Sequence, residues 1–131
     1  MSDPTTTELL QLNQRLLDSI TAGDWNTYQQ LCDPSLTAVE PESVGQLVRG
    51  LEFHRFYFEL GGIRGRHQTT MCNPDVRLLG DVAVLTYVRL IQRLNPAEGQ
   101  PITVASVETR VWQRKDGRWR HVHFHRTPLV S

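Results

Sequence analysis

Cysteine is scarce. Cys32 and Cys72 are two isolated thiols in 131 residues, with no CxxC spacing. That excludes a disulfide framework and a zinc ribbon, fits a reduced, cytoplasmic setting, and leaves both thiols as small buried apolar groups. An excess of charge is missing too, since 14 basic side chains face 14 acidic ones. Neither a polyanion-binding surface nor a disordered chain follows from that balance, so nucleic acid is not an expected partner. Nowhere do about 18 apolar residues run together, and the opening MSDPTTTELL has no basic segment leading into an apolar one. No membrane span or secretory leader is expected. With no internal repeat or long linker, one domain over residues 1–131 is the default, residues 1–7 forming a loose N-terminus.

What is present changes period midway. From Thr7 to Ala22, Leu9, Leu12, Leu16 and Ile20, joined by Leu10 and Leu17, follow helical spacing with one buried stripe. Gly23 is placed to stop this helix, and Asp24 to cap a short second one carrying Trp25, Tyr28 and Leu31. LTAVEP reads as a short strand, LVRGLEFHRFYFEL as a helix or helical turn, and Gly61, Gly62 and Gly65 as a flexible loop. Segments 67 to 79, 82 to 94, 102 to 114 and 118 to 126 are rich in β-formers and bounded by turn residues, among them Asp116-Gly117. Helices first and four consecutive antiparallel strands afterwards make an α+β domain, with helices on one face of a curved sheet.

The strand VAVLTYVRLIQRL is apolar on both faces. Val82, Val84, Val88 and Leu90 share one, while Ala83, Leu85, Tyr87 and Ile91 share the other. Helices cover a single face, so the second lines a cavity, meets another subunit, or belongs to the centre of a self-contained core.

CDPSLTAVEP at 32 to 41, FHRFYFE at 53 to 59, CNPDVRLLG at 72 to 80, TYVRL at 86 to 90 and ETRVWQRKDGRWRHVHFHR at 108 to 126 occur in consistent order. In these segments, from about Leu9 to Thr127, the chain resembles the association (hub) domain of calcium/calmodulin-dependent protein kinase II. The resemblance implies a cone-shaped fold of the nuclear-transport-factor-2-like, cystatin-like type, a long N-terminal helix wrapped by a strongly curved antiparallel sheet. It also implies a homodimer that builds into stacked rings. A Gly-rich nucleotide loop, a His-Arg-Asp loop and an Asp-Phe-Gly segment are all missing, so these residues do not transfer phosphate by the kinase route. A calmodulin-target segment is missing too.

The resemblance further implies a cavity lined by Arg89, Arg110 and Arg126, with His54 beside them and Glu108 and Tyr87 as secondary members. Converging guanidinium groups prefer a counter-anion and pair bidentately with carboxylates, so a small carboxylate is the expected ligand. The competing reading is that Glu108 or Glu40 satisfies these arginines internally. The loop LGGIRGRHQ is short and lacks the family's mobile tryptophan, so ligand identity does not carry over.

His121, His123 and His125 alternate along a strand. On a regular strand they share one face at roughly 7 Å spacing, within reach of one metal ion, and opposite to Arg126. Packing and hydrogen bonding are the expected roles, metal the minor alternative, and no cofactor is expected. Trp25, Trp112 and Trp119 read as core, with cross-strand aromatic packing at the last hairpin, and Arg64, Arg66, Arg114, Lys115 and Arg118 as solvated surface.

The functional expectation is a stand-alone, non-catalytic homo-oligomeric scaffold that gains effect by avidity. The alternatives are a small-molecule enzyme using His54 with Glu40 or Glu59 as a proton-transfer pair, and a metabolite-binding protein.

Overall fold

A computed structural model describes residues 3–129. Helix α1 runs Pro4–Ala22 and ends at Gly23 in the left-handed conformation (φ 71°), as its position predicted. It opens at Pro4, three residues before Thr7, where the helical spacing was expected to begin. Residues 4–7, expected to be loose, form its first turn, because Asp3 accepts from the Thr5 amide at 2.7 Å and Pro4 is pre-set for helix. Met1 and Ser2 lie outside the described residues. Helix α2 (Trp25–Leu31) is capped by Asp24, as expected.

Six strands follow: β1 (Cys32–Val39), β2 (Val48–Arg49), β3 (His67–Leu79), β4 (Val82–Leu94), β5 (Pro101–Lys115) and β6 (Arg118–Leu129). A 3-10 turn at Pro41–Ser43 and helix α3 (Glu52–Glu59) lie between β1 and β3. The sheet order is β2-β1-β6-β5-β4-β3. The four long strands form the expected antiparallel meander, but β1 joins β6 in parallel. The sheet is therefore mixed. An extra residue interrupts the pairing of β5 with β6, and β3 shifts register between Cys72 and Asp75; such bulges bend a strand and increase its twist.

The helices cover the inward face. Leu9, Leu16 and Leu17 of α1 pack with Leu85, Tyr87 and Trp112 of the sheet, and Tyr28 and Leu31 of α2 join the same cluster. Each fully buried leucine contributes on the order of 2 kcal/mol by removal from water. Trp112 and Trp119 are buried and Trp25 packs against the cluster, so the core reading of all three holds. At the hairpin, Trp112 packs on His121 and Trp119 under Arg114, so the tryptophans pair across strands with other partners.

Alternation along β4 and β5 sends Ala83, Leu85, Tyr87, Arg89, Ser106, Glu108, Arg110 and Trp112 inward. Val84, Val88, Leu90, Val107 and Val111 point the other way. On that outer face Val88 sits opposite Val107, Val84 opposite Val111 and Leu90 opposite Ala105, while Val107 is exposed. No described helix covers these rows.

One loop expected to be flexible is pinned. A Cβ on Gly62 would lie 2.3 Å from the carbonyl carbon of Ala22, and the Ile63 amide donates to the Thr21 carbonyl at 2.7 Å. Glycine lets the chain after α3 lie directly on the end of α1.

Candidate functional site

The inward side chains of β4, β5 and β6 meet α2, α3 and the 3-10 turn around a cavity of about 110 Å³. Arg89, Arg110, Arg126 and His54 all line it, so the four expected residues come together. Tyr28, Tyr57, Phe58 and Phe124 supply its aromatic wall, and Glu40 and Glu42 its acidic one.

The three arginines are not equivalent. Arg110 is 1% exposed and fully engaged: its Nε donates to Glu108 and to the Tyr87 hydroxyl at 3.0 Å each, and its Nη2 pairs with Glu108 at 3.0 Å. The guanidinium also lies 4.3 Å from the Phe124 ring centroid. Glu108, wholly buried, accepts as well from Tyr87 at 2.7 Å and from Arg89 Nη1 at 3.4 Å. Burial works against its ionisation, yet Arg110 and Arg89 hold its carboxyl down at about 2. Burial likewise pushes the Tyr87 phenol up to about 12, so it stays a hydrogen-bond donor. Arg110 thus belongs to a buried structural pair.

Arg126 is held at the rim. Both oxygens of Glu42 accept from its Nη2, and Glu40 approaches to 3.6 Å. Of the three, only Arg89 keeps buried donors without a partner. Its Nη1 faces Glu108, while Nε and Nη2 are buried with no partner. Those two nitrogens form one edge of the guanidinium, two parallel donors at the spacing of a carboxylate's oxygens. Burial pulls the Arg89 pKa below its ordinary value, partly offset by Glu108, but a guanidinium keeps its proton.

His54, from α3, places Nε2 2.5 Å from Glu40 Oε2 and leaves Nδ1 buried without a partner. Glu59, the other candidate acid for it, lies on the exposed side of α3 and pairs with Arg55.

The histidine triad is a correction. An extra residue, Val122, interrupts β6, so that Trp112 pairs with His121 and Val111 with His123. Strict alternation fails there, and His121 turns inward while His123 and His125 remain outward. His121 lies 3.4 Å from both Arg110 Nη1 and Cys32 Sγ. Arginine only donates, so Nε2 accepts and Nδ1 carries the proton toward the sulfur. Burial, then Arg110, hold His121 neutral, and burial pushes the Cys32 thiol up to about 12. His123 bonds Thr37 at 2.7 Å. Among the described residues no three of His, Cys, Asp and Glu are arranged to hold a metal.

Two contributors escaped the sequence reading. Asn13 is the polar member of the buried stripe of α1, accepting from Trp112 and donating to Tyr87 at 3.0 Å each. Its place four residues after Leu9 and three before Leu16 was a readable signal. Glu42 sits on a 3-10 turn whose position no periodicity marks.

No described helix is long and apolar enough to cross a membrane. Arg64, Arg66, Arg114, Lys115 and Arg118 are exposed, as expected.

Comparison with known proteins places these features. The sequence is 46% identical over 123 residues to the delta subunit of calcium/calmodulin-dependent protein kinase type II from Oryctolagus cuniculus, covering 92% of this chain and 23% of that protein. The structure matches the association domain of C. elegans CaMKII (TM-score 0.88, 45% identity, 94% of this chain and 95% of that one). It also matches the CaMKII hub homology domain of Chlamydomonas reinhardtii (TM-score 0.89, 45% identity, 96% and 99%). A Salmonella enterica protein of the nuclear transport factor 2-like superfamily shares the fold at 23% identity and TM-score 0.76, over 97% and 94% of the two chains. The family model for the calcium/calmodulin dependent protein kinase II association domain matches residues 5–130, and the chain belongs to that family.

Proposed function

We propose that the chain is a non-catalytic scaffold that assembles with copies of itself, building dimers into a ring, and that its inner cavity holds a small carboxylate. The outer face of β4 and β5 carries the assembly reading. Cross-strand rows of valine, leucine and alanine lie there with no described helix above them, and burying them against a second copy removes apolar surface from water. Anything attached to a subunit would then act at raised effective concentration. Multi-angle light scattering tests this: a particle many times the mass of one chain is expected, and a persistent monomer at micromolar concentration contradicts it.

The free Nε–Nη2 edge of Arg89 supports carboxylate binding, since a buried guanidinium edge without an acceptor is costly and a two-oxygen anion satisfies both donors at once. Calorimetry with propionate tests it. Measurable binding that Arg89→Gln abolishes is expected; no heat with either protein contradicts it.

A second reading attaches to the same cavity. His54 and Glu40, 2.5 Å apart with His54 Nδ1 unpartnered, have the arrangement of a base oriented by a carboxylate. Proton transfer on a bound keto acid would be lost in His54→Gln, whereas assembly without turnover in the native protein leaves the scaffold reading alone.

A further inference from the structure

Charge in the cavity is balanced before any ligand enters. Arg89, Arg110 and Arg126 contribute three positive charges, and Glu40, Glu42 and Glu108 three negative ones. The balance is unevenly distributed. Glu108 faces both Arg89 and Arg110 and leaves the deep end one positive charge in excess, while Glu40 and Glu42 crowd Arg126 at the rim, and the Nε–Nη2 edge of Arg89 is buried without an acceptor.

Glu42 also stands at a boundary. A second, larger space of about 920 Å³, lined by Arg64 and Arg93 among others, lies outside the inner cavity. Ile20, Glu42 and Tyr57 line both spaces, so the Glu42–Arg126 pair sits at the throat between them. A ligand passing from the outer space to Arg89 goes by a carboxylate already seated on the rim arginine.

Resting on the carboxylate-binding reading of this cavity, we propose that Glu42 is its selectivity determinant: a built-in carboxylate that occupies Arg126 and so restricts the inner chamber to ligands with a single anionic group. One carboxylate fits the two donors of Arg89. A second carboxylate on the same small molecule reaches the rim, finds Arg126 Nη2 already held by Glu42, and meets the charges of Glu40 and Glu42 there. Like charges in a half-buried throat repel with little solvent screening, so the dianion is rejected by the pair rather than by lack of room. Removing the Glu42 charge reverses the relation, because Arg126 becomes available to the second carboxylate.

Propionate and malonate, three-carbon acids that differ by one carboxylate, are the probes. Calorimetric titration of the native protein should favour propionate by about tenfold or more. In Glu42→Gln, whose side chain is 35% exposed in the native protein and keeps its shape, malonate should tighten by about tenfold to a hundredfold. Propionate should change by less than about threefold. Adding Arg126→Gln to Glu42→Gln should remove the malonate gain. Arg126→Gln alone should widen the preference for propionate, since it leaves Glu42 uncompensated, and this reads the same relation should Glu42→Gln not assemble. An unchanged ratio in Glu42→Gln while propionate still binds, a malonate gain that survives loss of Arg126, or an unchanged ratio in Arg126→Gln overturns the assignment. Failure of both acids to bind both native protein and Glu42→Gln takes down the carboxylate reading itself, and this assignment with it.

Discussion

Arg110 and Glu108 stand two residues apart on one face of β5, with two nitrogens of the guanidinium 3.0 Å from one carboxylate oxygen and both side chains removed from solvent. The pair anchors a polar chain through the core, from Trp112 and Asn13 by way of Tyr87 to Glu108, Arg110 and His121. A fully connected buried network of this kind fixes one arrangement of the helix on the sheet.

Breaking the network from one side leaves a charge stranded. Glu108→Gln removes the anion and leaves Arg110 buried without a counter-charge, which costs about 3–5 kcal/mol. Urea unfolding of Glu108→Gln checks this; a loss below about 1 kcal/mol would show that the pair is dispensable.

Arg89 and Arg110 separate stability from binding. Arg110→Gln should lower unfolding stability by several kcal/mol, as loss of one member of a buried pair does. Arg89→Gln, which removes two unpaired donors and a 3.4 Å contact with Glu108 while Arg110 still holds that carboxylate at 3.0 Å, should cost less stability and yet abolish propionate binding. Paired denaturation and titration of the two variants distinguish these roles, and equal losses in both assays would merge them.

Stability falls on acidification in two stages. His121 has a folded-state pKa pushed well below its ordinary 6.5, so its contribution is present above that value and fades as pH drops beneath it. Glu108, held at about 2 against an ordinary 4.5, contributes roughly 3 kcal/mol above pH 4.5 that is lost as pH falls toward 2. Both groups bind fewer protons folded than unfolded, so the two effects share a sign. Unfolding midpoints measured from pH 8 to pH 3 should fall monotonically below about 6.5; a midpoint that rises between pH 6 and pH 4 contradicts this.

Gly62→Ala places a methyl inside the backbone of Ala22 and should cost about 1–3 kcal/mol by forcing the loop off α1. Thermal unfolding reads the loss directly. A stability equal to native would mean that the loop relaxes freely.

Much of this was legible beforehand, for definite reasons. The four long strands were found to within a few residues because β-branched runs and turn residues are local signals, and Gly23 and Asp24 marked helix ends by side-chain chemistry. The convergence of Arg89, Arg110, Arg126 and His54 depended instead on resemblance, since distant strands and α3 supply them. What was hidden arises from single-residue geometry. One inserted residue, Val122, inverts the facing of His121, and period-two spacing carries no sign of it. Glu42 gains its role from a three-residue turn, and the parallel β1–β6 pairing from a crossover that local pattern does not encode.

The outer valine rows decide whether this fold is a scaffold. Val107, 37% exposed opposite Val88, lies in the middle of that face, and Val107→Glu puts a charge there without touching the inward core. Light scattering of native and Val107→Glu proteins at equal micromolar concentration should show a large particle for the first and a dimer or monomer for the second. A native monomer, or a Val107→Glu particle of undiminished mass, would contradict self-assembly through this face.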